Sequence, residues 1–351
     1  MKKLEYYPWS PKILDNALKK YAKGKIPTAY LELTAKCSYC RCLYCDSRSG
    51  MANRGELTFP EIKKLILNLK KLGLQWLFIC GLGEPREENY FFDILKFLKD
   101  QKIKVSFFTN GLAYKDEDVK FLKKYNANII LKLDTFDGKV FDKILCKNGA
   151  SKKIYDFVDK LIQNNFIKVN SDNETNLAFS IVATKLNLDA IPSVINFCKK
   201  HNIFPCVDEM EYTHRAKLNY KELAVKESDL IELKAKIDKI LGYSYKRTLC
   251  QGIIPSLHIN NVGKIVIDRR TGLSCDWFFQ EDPAYLEMGD VRSDNLSDVV
   301  RKMNEYRMKK LPEIKSLFSN RTSIISAGGG TKPSTWYKRY VNIMNVIKKK
   351  K

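Results

Sequence analysis

Four thiols crowd nine residues: Cys37-Ser38-Tyr39-Cys40-Arg41-Cys42-Leu43-Tyr44-Cys45. Thiolates are soft ligands that select zinc, copper(I) or iron–sulfur clusters. A structural zinc site closes four ligands around the ion, usually as two pairs at defined spacing. No second pair follows promptly, and His201, His214 and His258 stand isolated with no metal spacing among them. Three thiolates on a [4Fe–4S] cluster, with one iron left open for a further ligand, suit the loop better. Two more segments could do chemistry: Gly81-Leu82-Gly83-Glu84-Pro85 and Thr109-Asn110-Gly111. Their glycines let the backbone take positive φ or approach a ligand closely, although each segment alone is also an ordinary turn.

The elements that must position these residues alternate along the chain. Apolar, strand-like runs lie at 29–33, 76–80, 105–108, 129–133, 177–182 and 203–207. Between them Ile62, Leu65, Ile66 and Leu69 repeat at helical spacing, as do Ile154, Phe157, Val158, Leu161 and Ile162, and then Ile191, Val194, Ile195 and Cys198. Six strand–helix units predict a parallel sheet covered by helices, doubly wound or curled toward a barrel, with right-handed crossovers. The cysteine loop follows the first strand, the Gly81 segment the second and Thr109-Asn110-Gly111 the third. Asp134-Thr135, Thr184-Lys185 and Asp208-Glu209 follow the other three. Parallel α/β folds build active sites at strand C-termini, so these polar groups are expected on one rim. Cys80, Cys198 and Cys206 occupy apolar positions and read as buried core thiols, whereas Cys146 falls in a loop.

Composition is that of a soluble globular chain, and 351 residues make one large domain or two ordinary ones. No apolar run is long enough to cross a bilayer, and Met1-Lys2-Lys3-Leu4-Glu5-Tyr6-Tyr7-Pro8 lacks an apolar signal core. A cytoplasmic location, no membrane partner and reduced cysteines are therefore expected. The 62 Lys and Arg against 40 Asp and Glu leave a formal charge of +22. That excess attracts anionic partners, or else covers the solvated outer faces of helices, as Lys63, Lys64, Lys70 and Lys71 do. Only Lys348 to Lys351 form a clean basic block.

From about Thr28 to Glu209 the chain resembles the radical S-adenosylmethionine (radical SAM) superfamily. The family hallmark is CxxxCxxC after the first strand, with an aromatic residue before the last cysteine. Tyr44-Cys45 ends this motif, Cys42 stands at the right distance, and Thr34 precedes Cys37 by three. One residue is inserted, giving Cys37-x4-Cys42-x2-Cys45, and Ser38 stands where strict spacing wants a thiol. The resemblance implies a partial (β/α)6 TIM-like barrel carrying a [4Fe–4S] cluster on Cys37, Cys42 and Cys45, with Cys40 the alternative first ligand. It implies S-adenosylmethionine on the open iron, cleaved after one-electron reduction to a 5′-deoxyadenosyl radical that abstracts hydrogen from a substrate. A donor such as flavodoxin or ferredoxin would supply the electron. Gly81, Gly83 and Glu84 match the family's glycine–glycine–glutamate segment, with Leu82 inserted or substituting within it. There a backbone carbonyl and the Glu84 carboxylate would hold the cosubstrate ammonium. Asn110 lies in the matching third-strand turn and Tyr44 would sit near the adenine. By position, Asp134 and Ser180 would face the ribose or methionine end.

The last third reads differently. Leu230–Leu241 is a lysine-rich helix with Ser228 as N-cap. Then come Cys250, a hairpin around Leu257-His258-Ile259 and Gly263-Lys264-Ile265, Cys275, and an amphipathic stretch at Leu296, Val299, Val300 and Met303. This order resembles the SPASM or twitch extension of radical SAM enzymes, whose cysteines bind further clusters. Cys250 and Cys275 are the candidate ligands of a second cluster. Two thiolates do not complete a four-cysteine site, so the favoured expectation is a hairpin without one, unless Cys206 is borrowed. The expected organisation is an N-terminal helical extension at 1–27, a radical SAM partial barrel at 28–215, a smaller α+β twitch-like domain at 216–320 and a basic tail at 321–351. In that tail Ala327-Gly328-Gly329-Gly330 is a joint, and Trp336, Tyr337 and Tyr340 dock a terminal helix or stack on a base.

The expected function is radical oxidation or tailoring of a peptide, sugar or other small molecule. The positive charge favours an anionic substrate: a peptide, a phosphorylated small molecule or RNA. No residue is singled out as catalytic, with Asp208, Glu209 or a free cysteine the candidates for a catalytic acid or radical carrier. Two alternatives remain at this stage. An RNA-modifying radical SAM enzyme predicts RNA binding together with cosubstrate cleavage. A basic zinc-binding nucleic-acid-binding protein predicts steeply salt-dependent binding and tightly held zinc.

Overall fold

The computed structural model of the chain describes residues 3–38, 41–45, 49–245, 256–268, 285–320 and 344–345. The sequence readings placed on Cys40, Cys250, Cys275, 327–330, Trp336, Tyr337, Tyr340 and 348–351 lie outside the described residues.

Strands β2 (Thr28–Leu31), β3 (Trp76–Ile79), β4 (Lys104–Thr109), β5 (Asn128–Lys132), β7 (Leu177–Ala183) and β8 (Phe204–Glu209) lie side by side in that order, all parallel. Each matches one of the six apolar runs in the sequence. The runs are nearly continuous because both faces of this sheet are buried. Outward side chains such as Leu31, Ile79, Phe107, Leu131 and Phe179 pack under the crossover helices. Those helices are α2 (Phe59–Lys71), α3 (Phe91–Asp100), α4 (Asp116–Lys124), α5 (Gly138–Leu145), α6 (Ala150–Gln163) and α7 (Ile191–Lys200). Inward side chains Tyr30, Trp76, Phe78, Ile130, Ala178, Phe204 and Cys206 form a second, smaller core. One-way winding in this order curls the sheet, yet β8 does not pair back to close it, so the barrel is partial.

Local signals place the helices. Thr58 and Glu61 form a capping box at the start of α2, and the Asp137 carboxylate accepts the Lys139 and Val140 N–H groups at the start of α5. Ser228 does not cap α10 (Glu227–Leu241). Lys226 is the N-cap, and Ser228 sits in the first turn with its hydroxyl on Asp229. Glu227 and Asp229 there complement the helix dipole, which lets the helix begin without a side-chain cap.

The base of the barrel is plugged by the N-terminal segment. β1 (Glu5–Tyr6) pairs with β6 (Glu174–Thr175), and Trp9 packs edge-on against Tyr6 and Phe204 under the strands. The hairpin read from sequence is present as β9 (Leu257–Ile259) and β10 (Lys264–Asp268), followed by β11 (Tyr285–Asp290). It is no separate sheet: β9 pairs parallel with β2, so the barrel sheet runs on into the extension. α11 (Leu296–Asn320) clamps this edge from behind. Its buried Arg307 donates to the Ser256 carbonyl and to the Tyr21 hydroxyl on α1 (Pro11–Tyr21). No helix among the described residues is long and apolar enough to cross a membrane.

Candidate active site

The cysteine loop leaves β2 and is pinned from four sides. Glu56 accepts the Thr34 hydroxyl, the Ala35 N–H, the Asn53 N–H and the Asn261 side-chain amide at 2.8–2.9 Å. Burial acts to raise its pKa, but these donors outweigh it and hold the carboxyl below the ordinary range. Lys36 pairs with buried Glu88 at 2.6 Å. Glu87 accepts the Ser38 N–H and hydroxyl at 2.7 and 2.6 Å. Ser38, at the position where the strict motif wants a thiol, is thus tied away into the turn after β3. Farther along, the Arg41 and Leu43 N–H groups donate to the Leu145 and Ile144 carbonyls at the end of α5.

Cys37, Cys42 and Cys45 are half-buried thiols on this loop, none of them in a disulfide. The Asn110 side-chain amide lies 3.9 Å from Cys37 Sγ, and Ser49 Oγ lies 3.3 Å from Cys45 Sγ. Arg215, on α8 (His214–Leu218), lies against the end of the loop. Its N–H donates to the Cys45 carbonyl at 3.3 Å and its guanidinium to Ser49 at 2.7 Å. Burial works against its charge, but Cys45, Cys42 and Cys37 act the other way and raise its pKa above the usual arginine value. Arg215 Nε is buried with no hydrogen bond among the described residues. Among those residues, no three His, Cys, Asp or Glu side chains converge closely enough to grip a single ion. A cluster differs from an ion in spanning the gap between its ligands. Three soft thiols on one loop, with the Arg215 cation at its end, fit that group.

Gly83 explains the glycine segment differently from a simple ligand contact. A Cβ there would lie 2.2 Å from the Lys36 carbonyl oxygen and 2.7 Å from the Thr34 carbonyl oxygen. The segment crosses directly beneath the cysteine loop, and the Glu84 N–H donates to the Lys36 carbonyl at 2.7 Å. At Gly81 φ is +87°, and the Glu32 side chain fills the space a Cβ would need.

Glu84 is 2% exposed. Its carboxylate accepts the Thr109 hydroxyl and Asn110 N–H, both at 2.7 Å, and the Arg86 N–H at 3.2 Å. Burial raises its pKa to about 7, against the pull of these donors. The carboxylate therefore locks the end of β3 to the end of β4 and so orients Asn110 toward Cys37. Tyr44 donates to Asp134 at 2.7 Å, Lys132 pairs with the same oxygen at 2.6 Å, and the Val182 N–H takes the other at 2.9 Å. Lys132 Nζ also sits 3.9 Å over the Tyr44 ring. Burial raises the Asp134 carboxyl above its usual range, with Lys132 opposing. Ser180 is half-buried on β7, in register between Lys132 and Cys206. Asp208, half-buried at the end of β8, accepts the Cys206 thiol at 3.6 Å.

Sequence reasoning missed Glu56, Glu87, Glu88 and Arg215, and also Asn219, whose side-chain amide donates to the Leu43 carbonyl at 2.9 Å. It also left His258 isolated, whereas Nε2 lies 2.9 Å from Glu32 across the β2–β9 junction.

Comparison with known proteins agrees with this geometry. Residues 31–197 match the radical SAM superfamily model. Those residues are a radical SAM domain. The chain is 30% identical over 149 residues to a GTP 3′,8-cyclase of Rhodopirellula baltica, covering 40% of this chain and 41% of that protein. It is 25% identical over 161 residues to the mycofactocin maturase MftC of Mycolicibacterium smegmatis, covering 46% and 38%. The chain thus spans about two fifths of these curated relatives. The structure of anSMEcpe with bound AdoMet and Cp18Cys peptide superposes with a TM-score of 0.58 at 13% identity, covering 92% of this chain and 99% of that one. The match establishes the radical SAM partial-barrel fold with its extension. Radical SAM proteins use a [4Fe–4S] cluster and S-adenosylmethionine.

Proposed function

We propose that this chain is a radical SAM enzyme that oxidises or otherwise tailors a peptide bound between the barrel rim and the β9–β11 extension. One observation carries the reading: three half-buried thiols on the loop after β2, flanked by Asn110 at Cys37 and Arg215 at Cys45, lie over strand ends that the Glu84 and Asp134 carboxylates tie together. When bound, the cluster and S-adenosylmethionine together supply, after one-electron reduction, a 5′-deoxyadenosyl radical that removes a hydrogen atom from substrate. Cys37, Cys42 and Cys45 are the ligands, and Arg215 and Asn110 donate toward their sulfurs. With the Glu84 oxygens engaged inside the protein, the cosubstrate ammonium falls to backbone carbonyls of the Gly81–Gly83 turn. Tyr44 offers its ring edge to the adenine. Ser180 faces the remainder of the cosubstrate, and Asp134, buried with both oxygens engaged, instead positions Tyr44 and Lys132. The extension, lying against β2, closes one side of the substrate space.

Peptide chemistry is supported by the MftC relative, named as a maturase, and by the peptide-bound neighbour that superposes through the extension. The GTP 3′,8-cyclase relative favours a second reading, a nucleotide substrate. The test is anaerobic reconstitution with iron and sulfide, reduction, addition of S-adenosylmethionine and assay of 5′-deoxyadenosine. Deoxyadenosine formation that ends when Cys42 becomes serine supports the reading. Tightly bound zinc without deoxyadenosine overturns it. Stimulation of cleavage by GTP rather than by peptide would select the second reading.

A further inference from the structure

We propose that Glu32, at the mouth of the barrel, is a subsite for a basic side chain of the peptide substrate, a protonated amine or guanidinium; this deepens the peptide reading above and rests on it. Alternation along the strands sets the direction in which Glu32 faces. Leu31 and Leu33 pack in the outer core under the helices and Tyr30 in the inner core, so Glu32 shares the inner face with Tyr30. His258 shares it too, because Leu257 and Ile259 lie in the outer core and His258 is in register with Tyr30. Glu32 is 9% exposed, and its Oε1 lies 2.9 Å from His258 Nε2. Among the described residues Oε2 has no hydrogen-bond partner, yet it is not one of the atoms sealed from solvent. The other buried carboxylates at the rim differ. Glu84, Glu88 and Asp134 each have both oxygens engaged.

A carboxylate withdrawn from water with one oxygen open is best stabilised by a charge-assisted bond from a cation. The surroundings suit one. The Tyr30 and Tyr285 rings lie 6.4 and 6.2 Å from the His258 ring, and aromatic faces attract ammonium and guanidinium groups. Tyr285 is 42% exposed and shares the inner face, two residues from Glu287, which is linked through Val266 to His258. Glu287 is itself occupied, pairing with Lys264 at 2.8 Å, which leaves Glu32 as the open acid on this wall among the described residues. The carboxylate is also fixed in place. A Cβ on Gly81 would lie 2.7 Å from Glu32 Cγ, so the side chain is pressed between that turn and His258. A cation seated on Glu32 spans barrel and extension, the interval in which the peptide reading puts the substrate.

The test uses the full-length, reconstituted, oxidised protein with S-adenosylmethionine present and isotope label in its three histidines. N-acetyl-arginine methylamide is titrated in, with the norleucine and glutamate analogues as controls, and the ring signals are followed by NMR. His258→Gln assigns the His258 signal. We expect the arginine probe to shift that signal saturably and Glu32→Gln to weaken its binding at least about tenfold. Tyr285→Leu, a change at an exposed position, should weaken it about threefold. The norleucine analogue should leave the signal in place. Equal shifts from arginine and norleucine, or arginine binding unchanged in both Glu32→Gln and Tyr285→Leu, would overturn the subsite. So would a saturable shift from the glutamate analogue alone, which would make His258 the ligand and the site anionic in preference. Arginine binding seen only when S-adenosylmethionine is left out would give Glu32 to the cosubstrate ammonium and overturn the proposal as well. Saturable, Glu32-dependent binding in a wild type that forms no 5′-deoxyadenosine would uphold the subsite and overturn the enzymatic reading.

Discussion

The two ends of the barrel have opposite electrostatics built by different means. At the rim, carboxylates are buried: Glu84, Glu88, Asp134 and Glu32 are almost inaccessible, each held by named donors. At the base, cations end the helices. Lys99 and Lys123 donate to the Lys124 and Asn165 carbonyls at 2.7 and 2.6 Å, and Lys70 to Gln101 at 2.8 Å. Lys104 packs over the Tyr7 and Trp76 rings. Cations at helix C-termini satisfy orphan carbonyls and complement the dipole. Part of the formal +22 is therefore accounted for by the βα repeat itself: α2, α3, α4, α6 and α7 each end at the base with lysine in the last turn, whereas α5 ends against the cysteine loop. The difference teaches that the net charge is a poor guide to the substrate, because much of it sits on helix ends at the base, while the rim carboxylates are buried and paired.

If the rim is arranged for chemistry and the base for stability, mutations should separate cleanly. The largest effect is expected from serine at Cys37, Cys42 or Cys45, each lowering deoxyadenosine formation by on the order of a thousandfold through loss of a cluster ligand. Cys40→Ser should retain most activity and iron, and its failure to do so would transfer the first-ligand role. Gly83→Ala should be nearly as damaging, because the new methyl cannot coexist with the Lys36 carbonyl. Iron content per chain checks both. Trp9→Ala at the base should instead cost about 3–5 kcal/mol of stability by emptying the plug. Denaturant titration reads that loss, and the surviving folded protein should still bind S-adenosylmethionine normally.

The sequence made the barrel legible because its strands are apolar on both faces and its rim chemistry recurs after every strand. All six runs became adjacent parallel strands in chain order. The thiols and the glycine segment were equally visible, being contiguous. What stayed hidden was long-range pairing. Glu56, Glu87, Glu88 and Arg215 look like ordinary surface charges until the fold carries them to the loop. The role of Gly83 was hidden for the same reason, since its crowding comes from a segment about fifty residues upstream. The continuation of the sheet through β9 was also unreadable: a short hairpin pattern does not say which edge it will join.

Glu84 offers a subtler separation. Its pKa is raised to about 7 by burial, from an ordinary value of 4.5. The folded state then holds more protons than the unfolded state between these values, so stability should fall as pH rises from about 4.5 to 7. Integrated over that window, the loss is about 3 kcal/mol. Glu84→Gln should flatten the slope, because the amide does not titrate, while weakening the β3–β4 lock. A wild-type stability profile that rises through this window would show that the three donors prevail over burial.

The smallest effect tests the base. Lys99→Ala and Lys123→Ala each remove one exposed lysine bonded to a helix-end carbonyl. Water replaces the lost donor at those carbonyls, so each change should cost no more than about 0.5 kcal/mol. Deoxyadenosine formation should be unaltered, since neither residue is near the rim. A double variant with near-wild-type stability and activity would confirm that these base cations serve the helix ends. A rise in substrate KM would instead place part of the binding surface at the base and erase the polarity between the two ends of the barrel.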